Sequence, residues 1–393
     1  LDGTKHTFRL RAKNSSGYGL WNDEIEKWTI PYIPENSITT SGETYLLTSW
    51  NDVTGATGYD LKINDTQLED VTNPYTKSEL SPGTEYVLMV RAKNSSGAGK
   101  WSEPVLTWTI PGVVEKLELQ ASQTDIQILW ENAIGAVGYD LEIDGQLLPD
   151  AESPYLHQDL QTGTEHSVMI RAKNSGGVGR WCEAQTIWTL PDVPENLNTQ
   201  PTSNSIKIAW DAVTGVTGYD IEIYGTAVDV GAQEWYIHEG INPNNQQTYR
   251  VRAKNSSGEG EWSSYMAETT LPGIPSYIRT VADDKEIVIN WDAIPGALTY
   301  DIEVNGTIVS GLVKTEYKHQ GLQPNTLYAY RVRSNGAGGP TAWSDAAECS
   351  TLFSPPENMD AYLSSAQIQL SWSPIEDAIG YDVEVDGQIY NNG

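Results

Sequence analysis

Of the five histidines in this chain of 393 residues, His157, His238 and His319 recur 81 residues apart, each two residues after a tyrosine (Tyr155, Tyr236, Tyr317). Imidazole suits proton transfer and metal ligation near neutral pH, so their placement bears directly on catalysis. Lys77 stands at the same position upstream, and a place that accepts lysine is expected to be exposed. Groups a whole repeat apart do not converge on one metal or one serine. No catalytic, cofactor-binding or metal residue is therefore assigned, and the chain is not expected to be an enzyme.

Carboxylates are abundant, with 53 Asp and Glu against 24 Lys and Arg and a net charge of -29. That balance excludes nucleic acid as a partner, since phosphates would be repelled. The pairs Asp140 with Asp144 and Asp382 with Asp386 make calcium the one cation to consider. Asn64, Tyr224 and Asn305 replace the second member elsewhere, as a hairpin turn allows and a ligand-dense cation loop does not. Asn14, Asn64, Asn94, Asn255 and Asn305 fit the Asn-x-Ser/Thr glycan-acceptor pattern.

Half of the basic residues lie on one recurring segment: Arg9, Arg11, Lys13, Arg91, Lys93, Arg171, Lys173, Arg250, Arg252, Lys254, Arg331 and Arg333. Opposite them a closing strand carries Trp28, Trp108 and Trp188, replaced by Thr269 and Ser350 in later copies. A core tryptophan exchanged for serine would leave a cavity costing about 3 to 5 kcal/mol, so these indoles are expected to face outward. Guanidinium groups stacked on indoles would give a cation–π ladder, as in the Trp-Ser motifs of cytokine receptors, which Trp101-Ser102 resembles. Left unstacked, the stripe is a contact surface for glycan or protein, with Trp28, Trp108, Trp188, Arg11, Arg91, Arg171 and Arg252 as its candidates.

The element carrying these arginines organises the chain. Arg91-Ala-Lys-Asn-Ser-Ser-Gly-Ala-Gly-Lys-Trp101 returns from Arg11, Arg171, Arg252 and, more loosely, Arg333, at intervals of 80, 80, 81 and 81. A Tyr-Asp pair at Tyr59, Tyr139, Tyr219, Tyr300 and Tyr381 keeps the same period. Eighty residues exceed a solenoid or propeller unit, so each period is a small domain with its own core. The period predicts domains at 31–110, 111–190, 191–271 and 272–353, with partial units at 1–30 and 354–393.

Fourteen Trp and 21 Tyr against two Phe, with 35 Gly and 20 Pro dispersed at short intervals, favour many short strands. In the repeat 111–190, Ile126, Ile128 and Trp130 alternate with polar or outward positions. Trp130 and its counterparts Trp50, Trp210, Trp291 and Trp372 are placed at the centre of each core. Gly138–Ile143 alternates and ends at the hairpin signal Asp144-Gly145. A strand opens at Pro154-Tyr155 and closes at Leu160. In the marker strand Val168, Ile170 and Ala172 point inward, and Met169, Arg171 and Lys173 outward. Asn174–Gly177 is a loop, and Trp181–Leu190 the closing strand.

A strand ending in Trp, a Tyr-led strand, Leu160-x-x-Gly-Thr-x-His166, Ile170-x-Ala-x-Asn-x-x-Gly177 and a Thr-x-Pro exit together resemble the fibronectin type III family, in its bacterial style. The resemblance covers the whole chain and implies an all-β, linear tandem array of seven-stranded immunoglobulin-like sandwiches. The family's tyrosine corner falls at Tyr86 and Tyr328, whereas His6, His166 and Gln247 occupy it elsewhere, implying a looser corner. There is no Arg-Gly-Asp tripeptide, so integrin binding is not implied.

Cys182 and Cys349 lie in different repeats and are expected to be free thiols. Prolines with apolar neighbours, as in Ile110-Pro111-Gly112-Val113-Val114, predict stiff joints and a semi-rigid rod growing by on the order of 35 Å per unit. No apolar run reaches the 18 residues or so of a membrane span. Residues 1–30 supply the last two strands of a unit and 354–393 the first three or four. Either the chain is a window cut from a longer one, or terminal halves join head to tail with other copies. The expected role is a non-catalytic extracellular or cell-surface stalk, spacer or filament component, with partners by self-association or at the cell surface. The alternative is an adhesin or carbohydrate-binding appendage using the Trp/Arg stripe.

Overall fold

The computed structural model describes residues 2–392. Every regular element among them is a strand. In the repeat 111–190, Leu117–Ala121, Ile126–Trp130 and Tyr155–His157 form a three-stranded antiparallel sheet. The second sheet runs from Gln146–Pro149 through Gly138–Ile143 to the marker strand Glu165–Asn174, which also pairs with Gly177–Val178 and Gln185–Trp188. The same division into three and five strands recurs in three other places along the chain.

Alternation explains why the sheets face each other. Ile126, Ile128 and Trp130 turn inward from one sheet; Leu141, Ile143, Val168, Ile170 and Ala172 meet them from the other, all buried. Separate clusters centre on Trp50 and on Trp291, so each sandwich buries its own apolar side chains, at roughly 1.5 to 3 kcal/mol per large residue. Trp50, Trp130, Trp210 and Trp291 are all buried, as the alternation requires, and Trp372 is half-buried.

Three boundaries differ from the sequence expectation. The strand opening at Tyr155 ends at His157, because the chain turns there so that the Leu160 amide can donate to Thr124 O at 2.9 Å. The closing strand starts at Gln185 rather than Trp181. The glycines after Asn174 are not only loop: Gly177–Val178 folds back onto Lys173–Asn174 as a two-residue ladder.

The chain divides into two compact units. The first holds residues up to Asp192 with Thr214–Thr217 and Lys254–Gly260; the second holds Val193–Val213, Gly218–Ala253 and residues from Glu261 onward. In the first, Lys5–Phe8 pairs with Ile25–Trp28 and both strands are exposed. In the second, Asp360–Leu363 pairs with Ile368–Ser371, and Tyr381–Val385 with Gln388–Asn392.

Candidate functional site: the marker strand and the joint it reaches

The arginines of the marker strand are engaged within their own domain. Register places Arg171 opposite Asp140 of the Tyr-Asp pair, and Arg171 Nε and Nη2 donate to Asp140 Oδ2 at 3.0 and 2.9 Å. Lys173, two residues on and so on the same face, takes Asp140 Oδ1 and reaches Asp150 at 2.7 Å. Arg91 with Asp60, Arg252 with Asp220 and Arg333 with Asp301 repeat the pair. Burial raises the pKa of Asp60, Asp140 and Asp301, but hydrogen bonds from the facing Arg, joined by Lys93 at Asp60 and Lys173 at Asp140, outweigh it and hold all three carboxyls below their ordinary range. Asp140, considered above for calcium, thus has both oxygens occupied by cations of the chain, and Asp144 accepts from the Ser167 amide and His166.

The other face of each guanidinium lies on an indole. Arg91, Arg171, Arg252 and Arg333 stack on Trp101, Trp181, Trp262 and Trp343 at 4.5 to 4.6 Å, and Arg11 on Trp21 at 4.5 Å. The stacking partner is therefore the tryptophan that ends the marker itself, not Trp108 or Trp188 of the closing strand. Ten residues of hairpin bring it back over the arginine that began the segment.

The tyrosine of each Tyr-Asp pair performs a different task. Tyr139 packs against Trp130, ring centroids 5.5 Å apart, and its hydroxyl accepts the Ala133 amide at 2.8 Å. Tyr59, Tyr219, Tyr300 and Tyr381 do the same for Val53, Val213, Ile294 and Ile375. This fixes the loop that presents Gly135 to Gly83 of the preceding domain. A Cβ on Gly135 would lie 1.8 Å from Gly83 O, and one on Gly83 1.9 Å from Ile134 O. The pairs Gly3 with Gly55 and Gly163 with Gly215 approach equally closely, all within the first unit.

A latch closes over this contact. Asn174 Nδ2 donates to Thr109 O of the preceding domain at 2.9 Å and to Gly135 O of its own at 3.2 Å. Asn94 does so to Thr29 O and Gly55 O at the same distances, and Asn255 donates to Thr189 O at 2.8 Å. In the second unit the loosest marker has Gly336 where Asn94 stands. There Gly296 meets Asn244, and the Ala337 amide donates to Asn244 Oδ1 at 3.4 Å.

A family model described as fibronectin type III domain matches residues 32–108. The chain is 23% identical to fibronectin type-III domain-containing protein 3a of Gallus gallus, over 89% of this chain and 35% of that protein. It is 22% identical to neogenin of Homo sapiens, over the whole chain and 34% of that protein. The chain is a tandem array of fibronectin type III domains. It spans about a third of the length of these curated relatives. Among solved structures, the chicken CNTN1 FN1-FN3 domains match 62% of this chain and 99% of theirs at 19% identity, with a TM-score of 0.30.

Within the array the remaining candidates fall as follows. Trp28 is exposed, whereas Trp108 and Trp188 are half-buried, because the closing strand runs into the joint. The Trp108 carbonyl lies against Gly176 of the next marker loop, and the Trp188 amide donates to Ser257 Oγ at 2.8 Å. His157, His238 and His319 are half-buried rather than exposed. His238 and His319 bring Nδ1 to within 3.0 and 3.1 Å of the Tyr249 and Tyr330 hydroxyls. Lys77 is tolerated at that position because its aliphatic stem can cover the same surface. Burial lowers the pKa of all three histidines. His157 meets His166 of its own domain, ring centroids 6.4 Å apart; among the described residues no group of three His, Cys, Asp or Glu is arranged to hold a metal.

The tyrosine corner takes three forms. Tyr86 and Tyr328 accept main-chain amides five residues back, from Ser81 and Gln323. His166 reaches only two residues, to Thr164 Oγ1 at 2.8 Å, and Thr164 relays the contact to Gln161 O. Gln247 bonds Asn245. The shorter side chains thus borrow a neighbour to span the gap. Cys182 and Cys349 are free. What sequence reasoning missed is the joint; its signal was the pair of glycines, Gly83 with Gly163 and Gly55 with Gly135, Gly215 and Gly296, that keep the period of the marker.

Proposed function

We propose that this array is a non-catalytic spacer of the extracellular space or cell surface, in which the domains meeting at the three glycine–glycine joints of the first unit are each held in one relation by the latch and the glycine contact. The joint around Gly83, Gly135, Thr109 and Asn174 is the observation that carries this reading. A flexible string would not need the same close backbone approach at three successive joints, each intolerant of a side chain. Among the relatives is receptor-type tyrosine-protein phosphatase V of Rattus norvegicus, 26% identical over 79% of this chain, a name that suits a surface location. The arginine stripe is already matched by aspartate and indole, which favours a scaffold with protein partners over an array of glycan sites.

Removing residues 111–190 as one period should test it. The shortened chain is expected to stay folded, join its flanking domains through the Gly83 and Gly215 contact, and lose one increment of maximum dimension in small-angle X-ray scattering. A maximum dimension unchanged by the deletion would overturn the spacer reading.

A further inference from the structure

The five Asn-x-Ser/Thr tripeptides are equivalent in sequence but not in structure. At Asn94 both amide hydrogens are committed, one to Thr29 O at 2.9 Å and one to Gly55 O at 3.2 Å, and the residue is half-buried. At Asn255 the amide donates to Thr189 O, and the hydroxyl of Ser257, two residues on, accepts the Trp188 amide. Asn64 and Asn305 stand elsewhere, at the tips of exposed hairpins with backbone φ of 49° and 42°. Their Oδ1 atoms accept the Val87 and Ala329 amides, each at 2.9 Å. Because Oδ1 and Nδ2 diverge from one carbon, anchoring the oxygen inward turns the nitrogen outward. Thr66 and Thr307, which complete the tripeptides, are exposed as well.

We propose that Asn64 and Asn305 are acceptors of N-linked glycan in this chain and that Asn94 and Asn255 are not. In the transfer, Nδ2 bonds to the anomeric carbon of a lipid-pyrophosphate-linked oligosaccharide. The anomeric C–O bond breaks with its electrons going to the pyrophosphate, and one amide proton passes to a base of the transferase. The product keeps a single N–H. Asn94 so modified cannot serve two carbonyls, and its sugar would stand where the preceding domain supplies Thr29. At the hairpins nothing is displaced, because the bond used there is made by Oδ1. The inference does not depend on the array's being a spacer.

The test is glycopeptide mass spectrometry of the whole chain, secreted as folded monomer from a eukaryotic host. The expected result is glycan on Asn64 and Asn305 with Asn94 and Asn255 bare, and an Asn64→Gln/Asn305→Gln variant that loses two glycans of mass. Glycan on Asn94 or Asn255 of the folded monomer, or bare Asn64 and Asn305, overturns it.

Discussion

Gly83 and Gly135 belong to successive domains and touch backbone to backbone, leaving no room for a Cβ on either. Both also sit at positive φ, 59° and 65°. Gly135→Ala is therefore expected to destabilise the loop by roughly 1 to 2 kcal/mol through its left-handed backbone alone, and to force the joint open. Hydrogen exchange should show faster exchange of the Ala136 amide, in the loop that carries Gly135, while the Val168–Ala172 core stays protected.

Asp140→Asn removes the counter-charge of Arg171 and Lys173 at a position that is buried. Breaking such a pair from one side leaves charge poorly compensated, at a cost of roughly 3 kcal/mol. The loss should appear in denaturant unfolding as a lower midpoint for the 111–190 domain, with the other domains unchanged.

Acid should act in two stages. His157, His238 and His319 have folded pKa values lowered by burial, so their contribution is present above the unfolded value near 6.5 and falls as pH drops through the folded ones. Asp60, Asp140 and Asp301 are also lowered, through their Arg and Lys partners against the opposing effect of burial. Their contribution holds above about pH 4 and is lost below it. Melting temperature against pH should fall first below pH 6.5 and again below pH 4, with His238→Gln and His319→Gln together reducing the first step only.

Cys182 stands where three of the other markers have serine and the first has Asn22. Ser102, Ser263 and Ser344 accept the amides of Val90, Val251 and Val332 at 2.9 to 3.0 Å, and Cys182 Sγ accepts that of Ile170 at 3.3 Å. Cys182→Ser should be neutral or stabilising, by up to about 1 kcal/mol, in thermal unfolding.

The fold was legible because burial follows a period of two: Ile126, Ile128, Val168 and Ile170 announce their inward face without reference to anything distant. The arginine stripe was legible as a stripe, but its satisfaction was not, since the Asp140 that neutralises Arg171 lies 31 residues away in a strand whose register is set by pairing. Trp181 and Trp188 both lie near the marker in sequence, and only the hairpin fold-back decides which indole meets the guanidinium. The joint was least legible. Asn174 meets Thr109 across 65 residues, and nothing local to Asn174 separates a joint donor from an ordinary loop asparagine.

The central claim is that the domains are held in fixed relation, and it can be tested on the pair 31–110 and 111–190. With Cys182 and Cys349 replaced by serine, spin labels at the exposed positions Gln67 and Leu147 report the distance between the two domains by pulsed electron paramagnetic resonance. The account predicts one narrow distance distribution that broadens on Asn174→Ala. A distribution already broad with Asn174 in place would contradict it.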